Sequence, residues 1–391
     1  MFTYIDNEKS AKLKVIGVGG AGGNAINNMI ASKLQGVKFI SANTDAQALD
    51  ISNAPVKIQM GERLTEGLGA GANPQIGREA ALESEEALRS ALQDSHMVFI
   101  TAGFGGGTGT GATPIIAEIC KDLGALTVAV ITKPFSFEGR RRTRQAEDGI
   151  DTLKEIADTT ITIPNDRLRG VASKNATMLE MFRKADEVLL HSVRGITDLI
   201  MMPGLVNLDF ADVKTTMSKA GMAIMGIGIA SGENRATLAA ERAISHPLLE
   251  DISISGATGV LMNITSSSDL TMEEMTEASD RIYNEVGEDA DIIWGTVVDD
   301  SLGEEMRVTV IATGIGTGPE SAITEKHGDL STRGKIRDIT PADMKTAEDY
   351  EVPTFIRQKK AVGESAGSRY KGIVLDNNDL DIPTFLRRKA D

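Results

Sequence analysis

The chain has 391 residues, of which 41% are hydrophobic and 25% charged, so it can hold two or three domains and is not wholly disordered. Its net charge of −15 argues against nonspecific nucleic-acid binding. The chain has one cysteine and four scattered histidines, which argues against a disulfide framework and a thiolate zinc site. It has no apolar run near the ~20 residues of a membrane helix, which argues against membrane insertion. We expect a cytoplasmic protein with no nucleic-acid partner and no metal held by its own side chains.

The first half of the chain alternates short apolar runs with segments of helical periodicity. Strands are predicted at residues 13–18, 37–42, 97–101, 126–132 and 160–163, and helices at 24–34, 113–123 and 140–156. This alternation is typical of a doubly wound, mostly parallel α/β sheet with helices on both faces, and we assign it to residues 12–173. Glycines cluster just after the predicted strands, where ligands bind in such sheets.

The second half contains a long helix and a smaller domain. Residues 174–203 predict a connecting helix that ends at Pro203 and Gly204. Residues 204–316 predict a smaller α+β domain, with helices at 210–220, 234–245 and 272–286 and strands at 223–230, 260–264, 292–298 and 306–312. Residues 1–11 predict a flexible N-terminus and residues 317–378 a disordered linker, because their composition cannot bury enough apolar surface to fold.

Two glycine-rich segments predict phosphate binding. Residues 17–24 follow a predicted strand and open a helix, so backbone N–H groups and a helix N-terminus can face a phosphate. The same residues fit G-x-G-x-x-G with Asp45 about 20 residues further on, the pattern of an NAD-dependent oxidoreductase. Residues 103–113 interleave glycines with Thr108 and Thr110 and lack the lysine of a Walker loop. A merely tight turn and a surface loop are the alternatives.

The run GGGTGTG at residues 105–111 resembles the glycine-rich motif of the tubulin/FtsZ family. Further segments resemble loops of that family in the same order, namely residues 19–24, 43–45, 69–74, 133–139 with Arg142, and 163–165. The resemblance covers residues 12–314 and the last dozen residues. It implies a GTPase of bacterial cell division that binds GTP in its N-terminal domain and assembles with itself, head to tail, into the filaments of the division-ring scaffold.

By this resemblance, one set of residues binds the nucleotide, with Glu138 and Arg142 on the ribose side. Mg²⁺ is expected on the phosphates, with water supplying most of its ligands. The nucleotide-binding residues implied are Gly19, Gly20, Ala21, Gly22, Gly23, Asn24, Asn43, Asp45, Ala70, Gly71, Gly103, Gly105, Gly106, Gly107, Thr108, Gly109, Glu138, Arg142, Asn165, Phe182 and Asp186.

The choice of base is predicted to depend on Phe182 and Asp186. Residues four apart share a helix face, so a ring can stack on a base while a carboxylate accepts two N–H bonds, which guanine offers and adenine does not. On periodicity alone, Phe182 would be a core residue and Asp186 a solvated one. Glu187 departs from the family pattern, in which a neutral residue is more common, and it adds an acid near the pocket.

The segment containing Asn207, Asp209 and Asp212 resembles the loop that, in the family, completes the active site of the next subunit. These three are the candidate catalytic residues, and a head-to-tail contact that does not close generates a filament. The alternative is that Asp209 caps a helix and Asp212 lies in its first turn, both favoured by the helix dipole. The protein would then be a GTP-binding scaffold that does not hydrolyse GTP.

The C-terminal tail contains an internal repeat, because residues 350–360 match residues 380–390. Residues 379–391 resemble the C-terminal peptide through which family members bind membrane-tethering and regulatory division proteins, and such partners would concentrate the chain at the division site. Proline followed by phenylalanine and an aliphatic residue suits a short peptide anchor. A harmless duplication in a solvated linker is the alternative for the first copy.

Overall fold

The computed structural model describes residues 11–170, 176–202, 209–218, 222–249, 254–287 and 290–315. The predictions for residues 1–10, for Asn207, for the linker and for both copies of the tail repeat lie outside this part. The described strands are β1 Leu13–Val18, β2 Val37–Asn43, β3 Val56–Gln59, β4 Met97–Gly103, β5 Leu126–Lys133, β6 Thr159–Pro164, β7 Met222–Ser231, β8 Gly259–Ser266, β9 Asp291–Val298 and β10 Glu305–Ile315.

These strands form one sheet in the order β3-β2-β1-β4-β5-β6-β7-β10-β8-β9. Strands β1 to β6 pair in parallel, as do β6 with β7 and β8 with β9, whereas β10 is antiparallel to both β7 and β8. The predicted α/β class with a mostly parallel sheet is therefore confirmed. The proposed domain boundaries at residues 173, 203 and 316 stay predictions.

Helices cover both faces of the sheet. They are α1 Gly19–Ala31, α2 Ala46–Asp50, α3 Glu62–Thr65, α4 Pro74–Glu83, α5 Glu85–Leu92, α6 Thr108–Asp122, α7 Arg140–Lys154, α8 Met178–Met201, α9 Phe210–Met217, α10 Arg235–Ile244 and α11 Met272–Tyr283. In β4, Met97 and Phe99 join α1 and α8 in one apolar cluster, while Val98 and Ile100 join α4 to α7 in another. The alternation of side chains along each strand thus builds two cores.

The second half of the sheet carries its own core, formed with α10 and α11. Helix α10 lies so close to β7 that a Cβ at Gly226 or Gly228 would overlap a carbonyl oxygen of α10, so the two glycines permit this packing. Arg235, only 6% exposed, joins α10 to α11 through its ion pair with Glu274, in which Nε lies 2.6 Å from Oε1. Leu261 and Ile311 of this half join the cluster that contains α8, so α8 packs against both halves.

The structure corrects two predicted helix starts. Helix α1 begins at Gly19 instead of residue 24, and α6 begins at Thr108 instead of residue 113. Glycine has a low helix propensity, so both glycine-rich segments were predicted to be loops, yet their second halves are the first turns of helices. Strand β3 and helices α2 to α5 were not predicted, because each of these elements is short and its periodicity is weak.

Candidate functional site

A cavity of about 500 Å³ opens at the carboxyl ends of β1, β4 and β5, with α8 as its side wall. It lies at the edge of the sheet where parallel α/β folds bind ligands. It is lined by Gly19, Gly20, Ala21, Asn24, Gly103, Phe104, Gly106, Gly107, Thr108, Gly109, Thr132, Pro134, Glu138, Arg142, Asn165, Phe182, Ala185, Asp186 and Leu189.

One end of the cavity is made of backbone and of two helix N-termini. Helices α1 and α6 both begin here, so their unpaired N–H groups and positive dipole ends face the same space. A Cβ built on Gly20 or Gly106 would have no atom within 4 Å, which means that these two residues leave room for a ligand. Gly19, with φ +73°, brings the two helix starts together, because its Cβ position lies 3.1 Å from the backbone nitrogen of Gly109. Such an arrangement suits an oligophosphate.

Other predicted glycines pack the framework and do not line the cavity. A Cβ on Gly22 would overlap the carbonyl oxygen of Thr101, so Gly22 permits α1 to lie against β4. Gly105 has φ +97° and donates its N–H to Thr110 Oγ1 at 2.9 Å, which shapes the turn before α6. The predicted residues outside the cavity lining are Gly22, Gly23, Asn43, Asp45, Ala70, Gly71 and Gly105.

Asn43 and Asp45 organise the loop that follows β2. Asp45 accepts hydrogen bonds from the N–H groups of Gln47 at 2.9 Å and Ala48 at 3.3 Å, so it caps α2. Asn43 Oδ1 accepts from the N–H of Thr44 at 2.9 Å. The hydroxyl groups of Thr44 and Thr108 lie 2.6 Å apart, which ties this loop to the start of α6. In the structure as described, the side chains of Asn43, Thr44 and Asp45 therefore support the wall of the cavity without lining it.

Glu138 and Arg142 form a linked pair at the cavity rim. Arg142 Nη1 donates to Glu138 Oε2 at 2.6 Å, while Glu138 Oε1 accepts from the N–H of Phe135 at 2.9 Å. The Glu138 side chain is 14% exposed and that of Arg142 49% exposed. The carboxylate is thus fixed at the base of the rim, and the guanidinium remains open to a bound group.

The far end of the cavity combines a ring, a raised carboxyl pKa and an unpaired amide oxygen. Phe182 is 37% exposed and packs edge-on against Phe135, with ring centroids 5.5 Å apart, so one face of Phe182 stays accessible. Burial, with a smaller contribution from the charge of Glu187, raises the pKa of Asp186 to about 7. Asn165 is 5% exposed, and its Oδ1 has no hydrogen-bond partner among the described residues. Within this part of the chain, both Asp186 and Asn165 are acceptors that lack a donor, as expected of a site that recognises N–H or O–H groups.

Glu187, the departure from the family pattern, turns away from this cavity. Its carboxylate pairs with Lys184 at 2.6 Å, and both side chains line a second cavity of about 450 Å³ on the other side of α8. The acid therefore acts on the first cavity through its charge alone, by raising the pKa of Asp186.

Five lining residues were not predicted, namely Phe104, Thr132, Pro134, Ala185 and Leu189. Thr132 pairs in register with Gly103, so its position at the end of the predicted strand could have indicated that it lines the cavity. Ala185 and Leu189 lie three and seven residues after Phe182 and share its helix face, which the periodicity of α8 also contained.

Asp209 and Asp212 lie at the opposite edge of the sheet. Phe210, the first residue of α9, packs against the ring of His96, which immediately precedes β4, whereas the cavity begins at Gly103 where β4 ends. Seven residues of extended strand span about 20 Å, so these exposed acids cannot reach the cavity of their own chain. Asp209 occupies the N-cap position of α9, but its side chain makes no capping hydrogen bond, so the predicted cap is wrong in that respect.

Metal binding by this chain alone has no support in the described residues, where no group of three or more His, Cys, Asp or Glu side chains could hold an ion. A cation that is held by the phosphates and by its own waters needs no such group, so this finding does not conflict with Mg²⁺ bound in that way. Among the described helices, none is both long and apolar enough to cross a membrane.

Comparisons with known proteins agree over most of the chain. The family model described as Tubulin/FtsZ family, GTPase domain, matches residues 12–173, and that of the FtsZ family C-terminal domain matches residues 221–316. The chain is 50% identical over 396 residues to the cell division protein FtsZ of Azotobacter vinelandii, and 48% identical over 401 residues to that of Pseudomonas aeruginosa. In both cases 100% of each chain is covered.

Solved structures show the same fold. An empty FtsZ dimer from M. jannaschii has a TM-score of 0.77 and 46% identity, and the match covers 80% of this chain and 90% of that one. CetZ2 from Haloferax volcanii, solved as a GTPγS-bound protofilament, has a TM-score of 0.66, and the match covers 81% of this chain and 97% of that one. At 18% identity this second likeness concerns the fold alone.

Proposed function

This chain belongs to the tubulin/FtsZ family and is a cell-division GTPase that forms filaments, and we propose that its GTP is hydrolysed only between two stacked subunits. The subunit that binds GTP supplies the cavity at the carboxyl ends of its strands. The next subunit supplies Asp209 and Asp212 from the amino ends of its strands. The observation that carries the proposal is the placement of these two sets of groups at opposite edges of one sheet.

In the proposed binding mode, the triphosphate lies against the N-termini of α1 and α6, where backbone N–H groups converge. Phe182 stacks on guanine, and Asp186 accepts its N1–H and N2–H. The unpaired Oδ1 of Asn165 accepts a further hydrogen bond from the nucleoside. Arg142 approaches the ribose side, held there by Glu138.

Mg²⁺ is part of the proposal as a companion of the phosphates. When bound, it neutralises part of the charge that accumulates on the phosphate oxygens during transfer. Thr108 lines the cavity at the start of α6, and its hydroxyl group would approach such an ion or a phosphate oxygen.

Phosphoryl transfer depends on a positioned water molecule and on charge stabilisation. The cavity lining includes two acids, Glu138 and Asp186, and each has another task, in the pair with Arg142 and in the recognition of guanine. Asp209 and Asp212 are exposed at the edge of the sheet opposite the cavity, which leaves both carboxylates available to a neighbouring molecule. They would orient the water that attacks the γ-phosphate of the adjoining subunit, and Asn207 belongs to the same segment.

The decisive measurement is the GTPase rate per molecule as a function of protein concentration. Because a lone subunit lacks the acids at its own phosphates, the rate per molecule is expected to rise steeply where filaments form, as seen by electron microscopy with and without GTP. A rate per molecule that stays constant across the onset of assembly contradicts the proposal.

The oxidoreductase alternative is not supported, because Asp45, the residue it requires near a ribose, caps α2 and does not line the cavity. The scaffold alternative requires Asp209 and Asp212 to serve only the start of α9, where Asp209 holds the N-cap position without a capping hydrogen bond and Asp212 lies in the first turn. The dependence of turnover on protein concentration separates this alternative from the proposal. Competition among GTP, ATP and NAD for the purified protein separates the nucleotide assignments directly.

We further propose that the two tail copies, at residues 350–360 and 379–391, bind membrane-tethering and regulatory division proteins and thereby concentrate the chain at the division site. Two copies on one chain would raise avidity for a clustered partner without any new contact. The test titrates a tethering partner against three variants, one lacking the terminal copy, one with Phe355→Ala and one with both changes. If Phe355→Ala has no effect in either background, the first copy does not bind. Assembly is expected to survive in all three.

A further inference from the structure

The short helix α9, which follows Asp209 and contains Asp212, is held differently at its two ends. At its C-terminal end, the hydroxyl group of Thr159 donates to the carbonyl oxygen of Met217, and that of Thr313 donates to the carbonyl oxygen of Thr216 at 3.2 Å. Val213 and Met217 are fully buried in the main core. This end of α9 is thus part of the sheet framework.

At its N-terminal end, the half-buried Phe210 packs against the apolar cluster that contains α8 and also contacts the ring of the exposed His96. The ring of His96 lies with its centroid 6.1 Å from that of Phe210, and the two planes are inclined by 48°. This is the separation at which aromatic pairs attract each other. Phe210 lies between Asp209 and the rest of the helix, so a shift of its ring moves the first turn and both carboxylates with it.

His96 is itself fixed by three hydrogen bonds. Its backbone N–H donates to the carbonyl oxygen of Lys12 at 2.9 Å, and its carbonyl oxygen accepts from the N–H of Leu126 at 3.0 Å. Its ring Nδ1 accepts from the N–H of Lys12 at 2.9 Å. The last bond sets the rotation of the ring.

We propose that His96 is a positioning residue for hydrolysis. Anchored to the amino ends of β1 and β5, its ring orients Phe210 and thereby aims Asp209 and Asp212 at the GTP of the adjoining subunit. The inference rests on the proposed function, since it concerns how those acids are aimed. A displacement of about 1 Å in a reacting group can lower a rate by up to ~10²-fold.

The experiment separates the two properties of the His96 side chain. His96→Phe keeps a ring without the acceptor, His96→Asn keeps an acceptor without a ring, and His96→Ala removes both. Phe210→Leu and the double variant His96→Ala/Phe210→Leu complete the set, with Asp212→Asn as the reference. GTP affinity is measured on dilute protein, the critical concentration by sedimentation, and GTPase turnover per assembled subunit. Thermal unfolding identifies any variant that fails to fold, and if His96→Ala does so, His96→Asn, which also lacks the ring, carries the test of the ring contact.

We expect His96→Ala, His96→Asn and Phe210→Leu each to lower turnover per assembled subunit about tenfold, while GTP affinity stays unchanged because the cavity lies at the other edge of the sheet. His96→Phe should lose about threefold, less than the other variants, because it keeps the ring contact but not the hydrogen bond that sets the rotation of the ring. The double variant should lose no more than either single variant, because both changes remove one contact.

Three results would overturn the inference: full turnover in His96→Ala, losses that multiply in the double variant, or losses fully explained by a raised critical concentration. If Asp212→Asn keeps full turnover, the proposed function itself fails. If Asp212→Asn is inactive while His96→Ala is normal, only the role of His96 fails.

Discussion

The two edges of the parallel half of the sheet are built on opposite principles. At the carboxyl edge, backbone from α1 and α6 surrounds an open cavity, and acceptors such as Asn165 Oδ1 have no partner in the part of the chain that the structure describes. At the amino edge, side chains form hydrogen bonds with the backbone of neighbouring segments: Lys14 Nζ donates to the carbonyl oxygens of Ala91 and Gln93, and His96 accepts from Lys12.

This difference indicates what each edge is for. An edge with unpaired acceptors and uncovered helix N-termini is incomplete until a ligand fills it. An edge whose inner polar groups are paired can carry exposed carboxylates for use outside the molecule. Stacking one chain on another places the second kind of edge against the first, and the following experiments disturb one edge while leaving the other intact.

The largest effect is expected from the amino edge. Asp212→Asn should lower GTPase turnover by at least ~10²-fold, the scale on which a positioned acid–base or electrostatic group acts. GTP binding should remain within about twofold of the parent value, because the cavity belongs to the other edge. Steady-state turnover and GTP titration on the same preparations provide the comparison.

The matched control is Glu86→Gln, which also removes an exposed acid from the first turn of a helix, in this case α5. This substitution reproduces the loss of a favourable helix-dipole interaction but leaves α9 and its two acids unchanged. Equal losses in both variants would mean that the effect of Asp212 is structural.

At the carboxyl edge, Asp186→Ala should weaken GTP binding by about 1–3 kcal/mol, or roughly 5- to 150-fold, because the paired donors of guanine lose their acceptor. ATP binding should change much less, so the preference for guanine should shrink. Competition titrations with both nucleotides measure the change. Full discrimination in the variant would assign base recognition to Asn24 or Asn165.

Two glycines of α1 have different roles, because Gly20 faces the cavity and Gly22 packs against β4. Gly20→Ala places its methyl group in open space within the cavity, so we expect about tenfold weaker GTP binding and no loss of stability, since alanine favours helix. Gly22→Ala would overlap the carbonyl oxygen of Thr101, so we expect about 1–3 kcal/mol of destabilisation. Thermal unfolding and GTP titration of both variants should give opposite patterns, and equal loss of stability would contradict this assignment.

The smallest effect concerns pH. Because burial raises the pKa of Asp186 to about 7, the folded chain holds a proton that the unfolded chain has released. The stability that this proton confers is present at low pH and is lost as pH rises through 7. Asp186→Asn should therefore raise the melting temperature of nucleotide-free protein more at pH 8 than at pH 5.

GTP binding should show the opposite trend, because guanine requires the ionised carboxylate. GTP affinity of the parent protein should rise from pH 6 to pH 8 by up to about tenfold more than that of Asp186→Asn, since titration of the terminal phosphate affects both proteins alike. Calorimetric titration at three pH values measures both. A parent curve that follows that of Asp186→Asn would mean that Asp186 does not pair with the base.

Much of the sheet could be predicted because its strands are apolar runs of ordinary length: the prediction for residues 13–18 matches β1. The helix starts at Gly19 and Thr108 could not, since local propensity opposes helix there and tertiary packing decides. Helices α2 to α5 were missed for a related reason, as short helices owe their stability to packing more than to periodicity.

In the site, the sequence located both glycine-rich segments, each of which contributes residues to the cavity, and the pair Phe182 and Asp186, which also lines it. It could not separate glycines that face the cavity from those that face a neighbouring strand, because the motif contains both kinds. Nor could it indicate that Asp45 caps α2, since capping and ribose binding use the same carboxylate. The raised pKa of Asp186 depends on burial, which spacing alone does not report.

Helix α8 has a consequence for how this chain can vary in length. Phe182 lies in the cavity, whereas Met201 packs on Gly36 just before β2, so the helix connects the two edges over about 28 Å at 1.5 Å per residue. Inserting one residue between them would lengthen the helix by about 1.5 Å and rotate everything beyond by about 100°. Surface loops absorb such changes, but a helix that is buried against both halves of the sheet cannot. Insertions and deletions should therefore be tolerated in the loops of this chain and excluded from residues 182–201.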